Sequence, residues 1–434
     1  MNIILLSGGS GKRLWPLSNE VRSKQFLKIF KRPDGSRESM IQRMYRMIQA
    51  EKITIATSEK QVAAIRAQLG DEVSISVEPC RKDTFPAIAL ATAYLHEMQG
   101  VDDSETVVVC PVDSYVEEPY FEMLKRMGTE AGKEANHVLM GIEPTCPSDK
   151  YGYIIPASSD PLSFVSTFKE KPDEPENYIA QGALWNAGVF AFKLGYMLGL
   201  AEQLLGTSSY QKLYANYSLL PAISFDYAVV EKEKKIQVMR FAGLWKDLGT
   251  WNTLTEAMSD EVSGNAVVAD SHNTHVINEL QIPLVTLGVK DLAIAATPDG
   301  ILVAEKSKSD RLKDYITDHP PMYEKRAWGE YRVLDYRSQG QNFLTKHLII
   351  KPGQHISYQR HIHRTEMWTV VDGTGKMILD GEVRAVSRGD TAYIKPGMKH
   401  AIKADTELHI IEVQIGDELT EEDIERLEWK WEEV

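Results

Sequence analysis

The chain opens on an apolar run that ends in glycines and cations: Ser7, Gly8, Gly9, Ser10 and Gly11, then Lys12 and Arg13, with Lys24 eleven residues further on. Glycine lets backbone N–H groups close around a phosphate with no Cβ in the way. The adjacent cations would meet negative charge growing on phosphorus oxygens and on a pyrophosphate leaving group. That chemistry is transfer of a nucleotidyl group. Two commoner glycine loops fail by position. A P-loop needs glycine where Leu6 stands and Ser or Thr where Arg13 stands, and a dinucleotide fingerprint starting at Gly9 needs glycine where Leu14 stands. Taken alone, a Gly-Gly-x-Gly with basic neighbours is an ordinary strand-to-helix turn.

Carboxylates follow. The apolar run from Val107 to Val112 delivers Asp113, and Asp247 lies between Trp245 and Trp251. At strand ends facing a crevice such a pair can hold Mg²⁺ between two phosphates, although each Asp by itself reads as a strand-end cap. Much later, Gln359 and His361 stand two apart, followed by Glu366 and His400. Two residues apart on a strand share a face, so Gln359 and His361 would point into a barrel, with Glu366 and His400 arriving from neighbouring strands. Two imidazoles, a carboxylate and an amide oxygen suit Zn²⁺ or another divalent ion. His363 is in phase but spaced to stand behind these ligands.

These groups need elements to position them. Strand-like runs at Asn2 to Leu6, Ile53 to Ala56, Val73 to Val77, Thr106 to Cys110, Val138 to Ile142 and Gly188 to Phe192 alternate with amphipathic stretches at Ser39 to Gln49, Glu59 to Leu69 and Pro86 to Met98. The alternation predicts a mostly parallel, Rossmann-like α/β sheet over residues 1–258, with ligands at the carboxyl ends of its strands. From 259 to 312, short β-branched runs (275–277, 284–287, 292–295, 300–303) separated by Asn, Asp, Pro and Gly predict a short β-helix-like segment packed on the first domain. Residues 313–325, with Asp318-His-Pro-Pro321, read as a linker. From 326 to 434, alternating strands with Gly turns at 353, 373, 375, 381, 389 and 397 predict a small all-β barrel or jelly roll.

Composition bounds the function. The 434 residues exceed one core, and 43% apolar with 26% charged residues describes an ordinary globular protein, with no run long enough for a membrane span or a signal peptide. A cytoplasmic location is the expectation. A net charge of −13 argues against a nucleic-acid partner, so anionic substrates would be held by local cations and metal ions. Cys80, Cys110 and Cys146 are odd in number and widely spaced; they read as buried small hydrophobes. Exposed barrel edges are compatible with a homodimer.

The string Gly8 to Ser18 with Lys24-Gln25-Phe26 resembles the signature of the sugar-1-phosphate nucleotidylyltransferases, in particular the mannose-1-phosphate guanylyltransferase branch. The resemblance implies that Ser7 to Arg13 with Glu78, Lys82, Asp83 and Thr84 bind the nucleotide. It also implies that Arg13, Lys24, Asp113 and Asp247 are catalytic, the two Asp holding Mg²⁺. Tyr151-Gly152-Tyr153, Glu170-Lys171-Pro172 and Trp185-Asn186 match the family's sugar-side motifs, which assigns the sugar to Gly152, Glu170, Lys171 and Asn186; Ser224 to Ala228 matches a segment read as structural. The chain departs from the pattern at Lys12 and Ser23, at Lys82-Asp83 near the nucleobase, and at Ser114, where the family has His. Asp83 can accept from the N1–H and N2–H₂ of guanine.

Gln359 to Trp368, Lys351-Pro352-Gly353 and Glu422 to Arg426 resemble the cupin domain of phosphomannose isomerases, with Gln359 in place of the usual first His, Ala327 for Pro and Met367 for His. The implied metal ligands are Gln359, His361, Glu366 and His400, and Arg426 or Lys346 would hold charge or phosphate. The implied whole is an enzyme making GDP-mannose from GTP and mannose 1-phosphate that also interconverts mannose 6-phosphate and fructose 6-phosphate. The alternatives are a transferase acting on another nucleotide or hexose, or one whose cupin is only a metal-binding or assembly module.

Overall fold

A computed structural model describes residues 1–9, 12–19, 22–48, 50, 52–316, 321–337, 342–429 and 431, without the side chains of Lys12 and Glu422. Chain contacts divide it into two compact units: residues 1–261 with 291–293 and 304–314, and residues 262–290 with 294–303 and 315–434.

The first unit is built on a nine-stranded sheet in the spatial order Ser74–Glu78, Lys52–Ser58, Asn2–Ser7, Thr106–Pro111, Leu184–Lys193, His137–Ile142, Ile236–Phe241, Leu162–Lys169, Tyr153–Pro156. The first four are parallel, as their helical crossovers require. Beyond them the expectation of a mostly parallel sheet gives way to a mixed one. Leu184–Lys193 enters antiparallel to both neighbours, and Leu162–Lys169 follows Tyr153–Pro156 through a short hairpin, a connection that only antiparallel strands can use. Both faces are buried: Ile3 and Leu5 join one apolar cluster, while Ile4, Val107 and Val109 join the other. Three helices cover the parallel half, Met40–Met47, Glu59–Leu69 and Thr84–Gln99. The first ends before Gln49, which lies outside the described residues. Of the cysteines expected to be buried only Cys110 is; Cys80 is half-buried and Cys146 exposed.

In the β-helix-like segment, Val262–Gly264 pairs in parallel with His275–Asn278, and Ala266–Ala269 with Leu284–Leu287. The charged stretch after it is no bare connector: Lys306–Asp314 winds into 3₁₀ turns with Lys306 and Ser309 buried. Tyr323–Arg326, placed within the expected linker, pairs with Gly329–Arg337 and so belongs to the barrel; Asp318 to Pro320 lie outside the described residues.

The barrel is two facing sheets. One runs 323–326, 329–337, 343–350, 408–416, 364–372, 391–394, and the other 382–387, 374–379, 400–404, 359–360, 425–426. Alternation gives each long strand an inward set, and Leu348, Ile350, Val370, Met377, Leu408 and Ile410 make the apolar core. Among the described residues no helix is long and apolar enough to cross a membrane.

One charge cluster fastens the entrance to the first helix. Glu38 is fully buried and accepts from Arg32 Nε at 2.9 Å and from Arg46 Nη2 at 2.8 Å, with Arg43 at 3.6 Å. Burial would raise the carboxyl, but the Arg46 and Arg32 hydrogen bonds outweigh it and hold it below its ordinary value of 4.5. A depressed folded pKa contributes stability that is present above the unfolded value and lost as the pH falls through the folded one. Glu38→Gln should therefore cost about 2 kcal/mol at pH 7. In urea titrations of the first unit's transition the difference should shrink as the pH drops below about 4.

Candidate active sites

The parallel half of the sheet brings three expected residues to the carboxyl ends of its strands. Ser7 ends Asn2–Ser7, Glu78 ends Ser74–Glu78, and Asp113 follows Thr106–Pro111 by two residues. Asp247 is brought in by a short antiparallel ladder, in which it stands opposite Ser114 and Trp245 opposite Val116. The two carboxylates meet on Lys24, whose Nζ lies 2.8 Å from Asp113 Oδ2 and 3.3 Å from Asp247 Oδ1. Burial pulls the Lys24 pKa down, yet the two carboxylates raise it above its ordinary value, so it is a firm cation. Oxygens that already enclose one cation suit a hard divalent ion whose remaining ligands are phosphate oxygens. Asp113 and Asp247 fit Mg²⁺ in that sense.

Beneath the glycine loop lies a buried amide and hydroxyl network that the sequence did not reveal. Gly9 O accepts from Ser23 Oγ at 2.8 Å, and Gln61 Nε2 donates to Ser23 Oγ at 2.8 Å. Gln25 Nε2 donates to Ser7 Oγ at 3.2 Å and to Gln61 Oε1 at 3.1 Å, while Thr57 Oγ1 donates to Ser7 O at 2.9 Å. Ser23, standing where the family has Pro, is thus a donor that pins the loop backbone. The only signal was a Gln at position 61 on a helical face otherwise turned to the core. Arg13 is exposed, and Ser10, Gly11 and the side chain of Lys12 lie outside the described residues.

Glu78 sits beside the loop: a Cβ on Gly8 would come within 3.7 Å of Glu78 Oε1. It accepts from Tyr217 OH at 2.7 Å, and burial raises its pKa. Asp83 and Thr84 are engaged locally. Asp83, at φ 68°, is exposed and accepts from Thr84 N at 2.7 Å as the helix cap, while Thr84 Oγ1 accepts from Phe225 N at 2.8 Å. Lys82 is half-buried, and its carbonyl accepts from Ile223 N at 3.1 Å.

The sugar-side residues do converge. Asn186 N donates to Gly152 O at 2.8 Å, and a Cβ on Gly152 would strike Glu170 Oε2 at 2.5 Å, so glycine is what lets that carboxylate approach. Lys171, at φ 43°, places Nζ 2.9 Å from Glu170 Oε1. Asp226, in the segment read as structural, joins this group by accepting from Asn186 Nδ2 at 2.7 Å. Burial and the Glu170 charge push its pKa up to about 7. Tyr151 packs on Trp185 at 4.8 Å and Trp245 at 5.6 Å, an aromatic wall linking the sugar side to the strand that carries Asp247.

In the barrel, His361, Glu366 and His400 are buried, with one ligand atom of each within 4.8 Å of the others. Each imidazole Nδ1 faces a carbonyl, Arg364 O at 3.2 Å for His361 and Met398 O at 3.0 Å for His400. A carbonyl only accepts, so each Nδ1 carries the proton and each Nε2 presents a lone pair. Both Nε2 atoms are buried without a hydrogen bond and face Glu366, at 3.0 Å from Oε1 and 3.7 Å from Oε2. Lone pairs set against a carboxylate are unfavourable unless a cation lies among them, so the three residues fit a divalent metal. Glu366 is buried against the Arg364 guanidinium, a cation that favours its charged form. Arg364 Nε at 2.9 Å, Trp368 Nε1 at 3.1 Å and Gln414 Nε2 at 3.2 Å orient it. Arg364 and Trp368 were legible as the alternate positions of Glu366's own strand; Gln414 was not. Gln359 pairs directly across from His400 and Arg426, and its Oε1 accepts from Ser357 Oγ at 2.8 Å. His363 is exposed at the rim, where Nε2 is 4.0 Å from Glu418 Oε2.

Family models match both parts: Nucleotidyl transferase over residues 2–264 and Mannose-6-phosphate isomerase C-terminal over residues 313–429. The chain is 32% identical to the xanthan biosynthesis protein XanB of Xanthomonas campestris pv. campestris (strain B100), covering 98% of this chain and 97% of that one. It is also 32% identical to a mannose-1-phosphate guanylyltransferase of Salmonella montevideo, covering 99% and 98%. A solved structure from Thermus thermophilus, described as a mannose-1-phosphate geranyltransferase, superposes on 72% of this chain and 97% of its own at a TM-score of 0.61 and 29% identity. The chain belongs to the nucleotidyl transferase family, in the bifunctional type whose carboxyl-terminal part is a mannose-6-phosphate isomerase domain.

Proposed function

We propose that the amino-terminal site forms GDP-mannose and pyrophosphate from GTP and mannose 1-phosphate, and that the barrel site interconverts mannose 6-phosphate and fructose 6-phosphate. The observation that carries the transferase reading is the Lys24 ammonium held between Asp113 and Asp247, next in sequence to Ser23, whose hydroxyl bonds Gly9 O. In this reading a phosphate oxygen of mannose 1-phosphate attacks the α-phosphorus of GTP in line with the departing pyrophosphate. Lys24 and Arg13 meet the charge that builds on the transferring group. Asp113 and Asp247 would hold Mg²⁺, which would supply further charge neutralisation. Ser7, Gly8 and Gly9 bring backbone to the phosphates, a role that the sequence pattern extends to Ser10, Gly11 and Lys12, and Glu78, Lys82, Asp83 and Thr84 flank the nucleoside. Glu170, Asn186 and Gly152 O orient sugar hydroxyls, with Asp226 and Gly188 N fixing the Asn186 amide from its two ends. Lys171 offsets the sugar phosphate.

For the isomerase, His361, Glu366 and His400 would hold the divalent ion, Zn²⁺ being suited to this donor set. When bound, it polarises the hexose carbonyl. The residues around it keep the site dry and fix the carboxylate through Arg364, Trp368 and Gln414, so that a proton can pass between C1 and C2 in a preorganised pocket.

Two variants separate the sites. Asp113→Asn should lower pyrophosphate release by about 10²- to 10³-fold and leave fructose 6-phosphate formation intact. His361→Ala should abolish the isomerase and its bound metal while transfer continues. Loss of both activities from either folded variant would sink the two-site reading, and transfer without any isomerase would leave the barrel a binding module. Gly152→Ala forces Glu170 aside, so KM for mannose 1-phosphate should rise about tenfold with KM for GTP unchanged.

A further inference from the structure

Three cations from three strands of the barrel domain converge on one carboxylate. Glu421 Oε1 lies 3.5 Å from Lys346 Nζ, and Glu421 Oε2 lies 4.0 Å from both Arg326 Nη2 and Arg426 Nη2. None of these distances is that of a good charge-assisted hydrogen bond, which is nearer 2.8 Å. Glu421 itself is half exposed, on a short turn Glu421–Asp423. Lys346 has only 11% of its side chain exposed, and its ammonium rests 4.8 Å above the Tyr331 ring. Glu412, directly across the strands from Lys346, bonds Gln414 at 2.6 Å instead. Arg326 is held from behind by Glu324 at 2.6 Å, which also accepts from Tyr331 OH at 3.0 Å. Arg326 and Lys346 are thus held by their own neighbours, Arg426 is exposed, and all three stand only loosely around the Glu421 carboxylate they share.

We propose that Arg326, Lys346 and Arg426 form the phosphate subsite of the isomerase domain, which Glu421 fills in the free chain and vacates when a hexose 6-phosphate enters; the inference rests on the isomerase reading above. A phosphate dianion brings twice the charge of a carboxylate and tetrahedrally disposed oxygens that can accept from three donors at once. The position suits the substrate. The turn that carries Glu421 is bonded to Arg364, whose Nη1 donates to Thr420 O at 2.9 Å while its Nε holds Glu366. One guanidinium therefore separates the place of the phosphate from the metal-fitting triad, so the two ends of one hexose phosphate can reach both. Displacing Glu421 would also shift the turn that bonds Arg364, coupling arrival of the phosphate to the orientation of Glu366.

The test uses the full-length, metal-loaded protein with its transferase site filled by GDP-mannose and Mg²⁺. Inorganic phosphate is titrated by calorimetry, and KM for mannose 6-phosphate is read from fructose 6-phosphate formation. Glu421→Gln should tighten phosphate about tenfold and lower KM in step, because the internal competitor is gone. Lys346→Met and the exposed Arg426→Gln should each weaken phosphate about tenfold, the effect falling on KM more than on kcat. Glu425→Gln, which removes a neighbouring acid paired with Arg360, should shift neither value by as much as twofold. Weaker phosphate binding in Glu421→Gln, or an equal gain in Glu425→Gln, would overturn the proposal. Phosphate shifts as expected without turnover of mannose 6-phosphate would keep the subsite and discard the isomerase reading. Turnover with phosphate affinity unmoved by all four variants would do the opposite.

Discussion

Burying a charged group without partners costs more than a domain can sustain, and both sites are organised around that constraint. In the first unit the group is the Lys24 ammonium. Its partners come from positions 113 and 247, so the charge can be satisfied only if the strand end after Pro111 and the short ladder at 114–116 and 245–247 are both in place. The first thirty residues are thereby tied to the last strand of the domain. The same arrangement leaves two carboxylates gathered around one cationic position, which is the condition for holding a metal against phosphates.

The barrel inverts the sign. Glu366 is the buried charge, and the donors of Arg364, Trp368 and Gln414 come to it from the inward faces of two adjacent strands. Those faces divide the interior. Leu348, Ile350, Val370, Leu408 and Ile410 fill one end with hydrocarbon, while Lys346, Arg364, Glu366, Glu412 and Gln414 line the other. The apolar end supplies the packing, and the polar end is free to do chemistry because the strands alternate over 343–350, 364–370 and 408–414.

Glycine has one structural use here that matters more than loop flexibility. At Gly152 the missing side chain is the space that Glu170 occupies, and Asn186 is held to the same peptide. Three separated motifs thus become one sugar-side group with Asp226 behind it. Asp226 belongs to a segment whose local pattern carried no hint of this, since an Asp before a helical turn reads as a cap.

Much was legible from residue type and spacing. The glycine loop with Lys24, the strand-borne Asp113 and the metal-fitting His361, Glu366 and His400 follow from local pattern, because period-2 alternation and turn chemistry act over a few residues. The α/β alternation and the switch to Gly-punctuated strands announced the two architectures for the same reason. Tertiary structure decided the rest. The mixed half of the sheet depends on which edge each strand joins, and strand 323–326 joins the barrel although its flanks read as linker. The network of Ser23, Thr57 and Gln61 under the loop and the gathering of Arg326 and Lys346 on Glu421 are pairings between distant segments. Sequence specifies such pairings only through the folded chain, because a buried polar group's partner is set by which strands become neighbours and not by what lies beside it in the sequence.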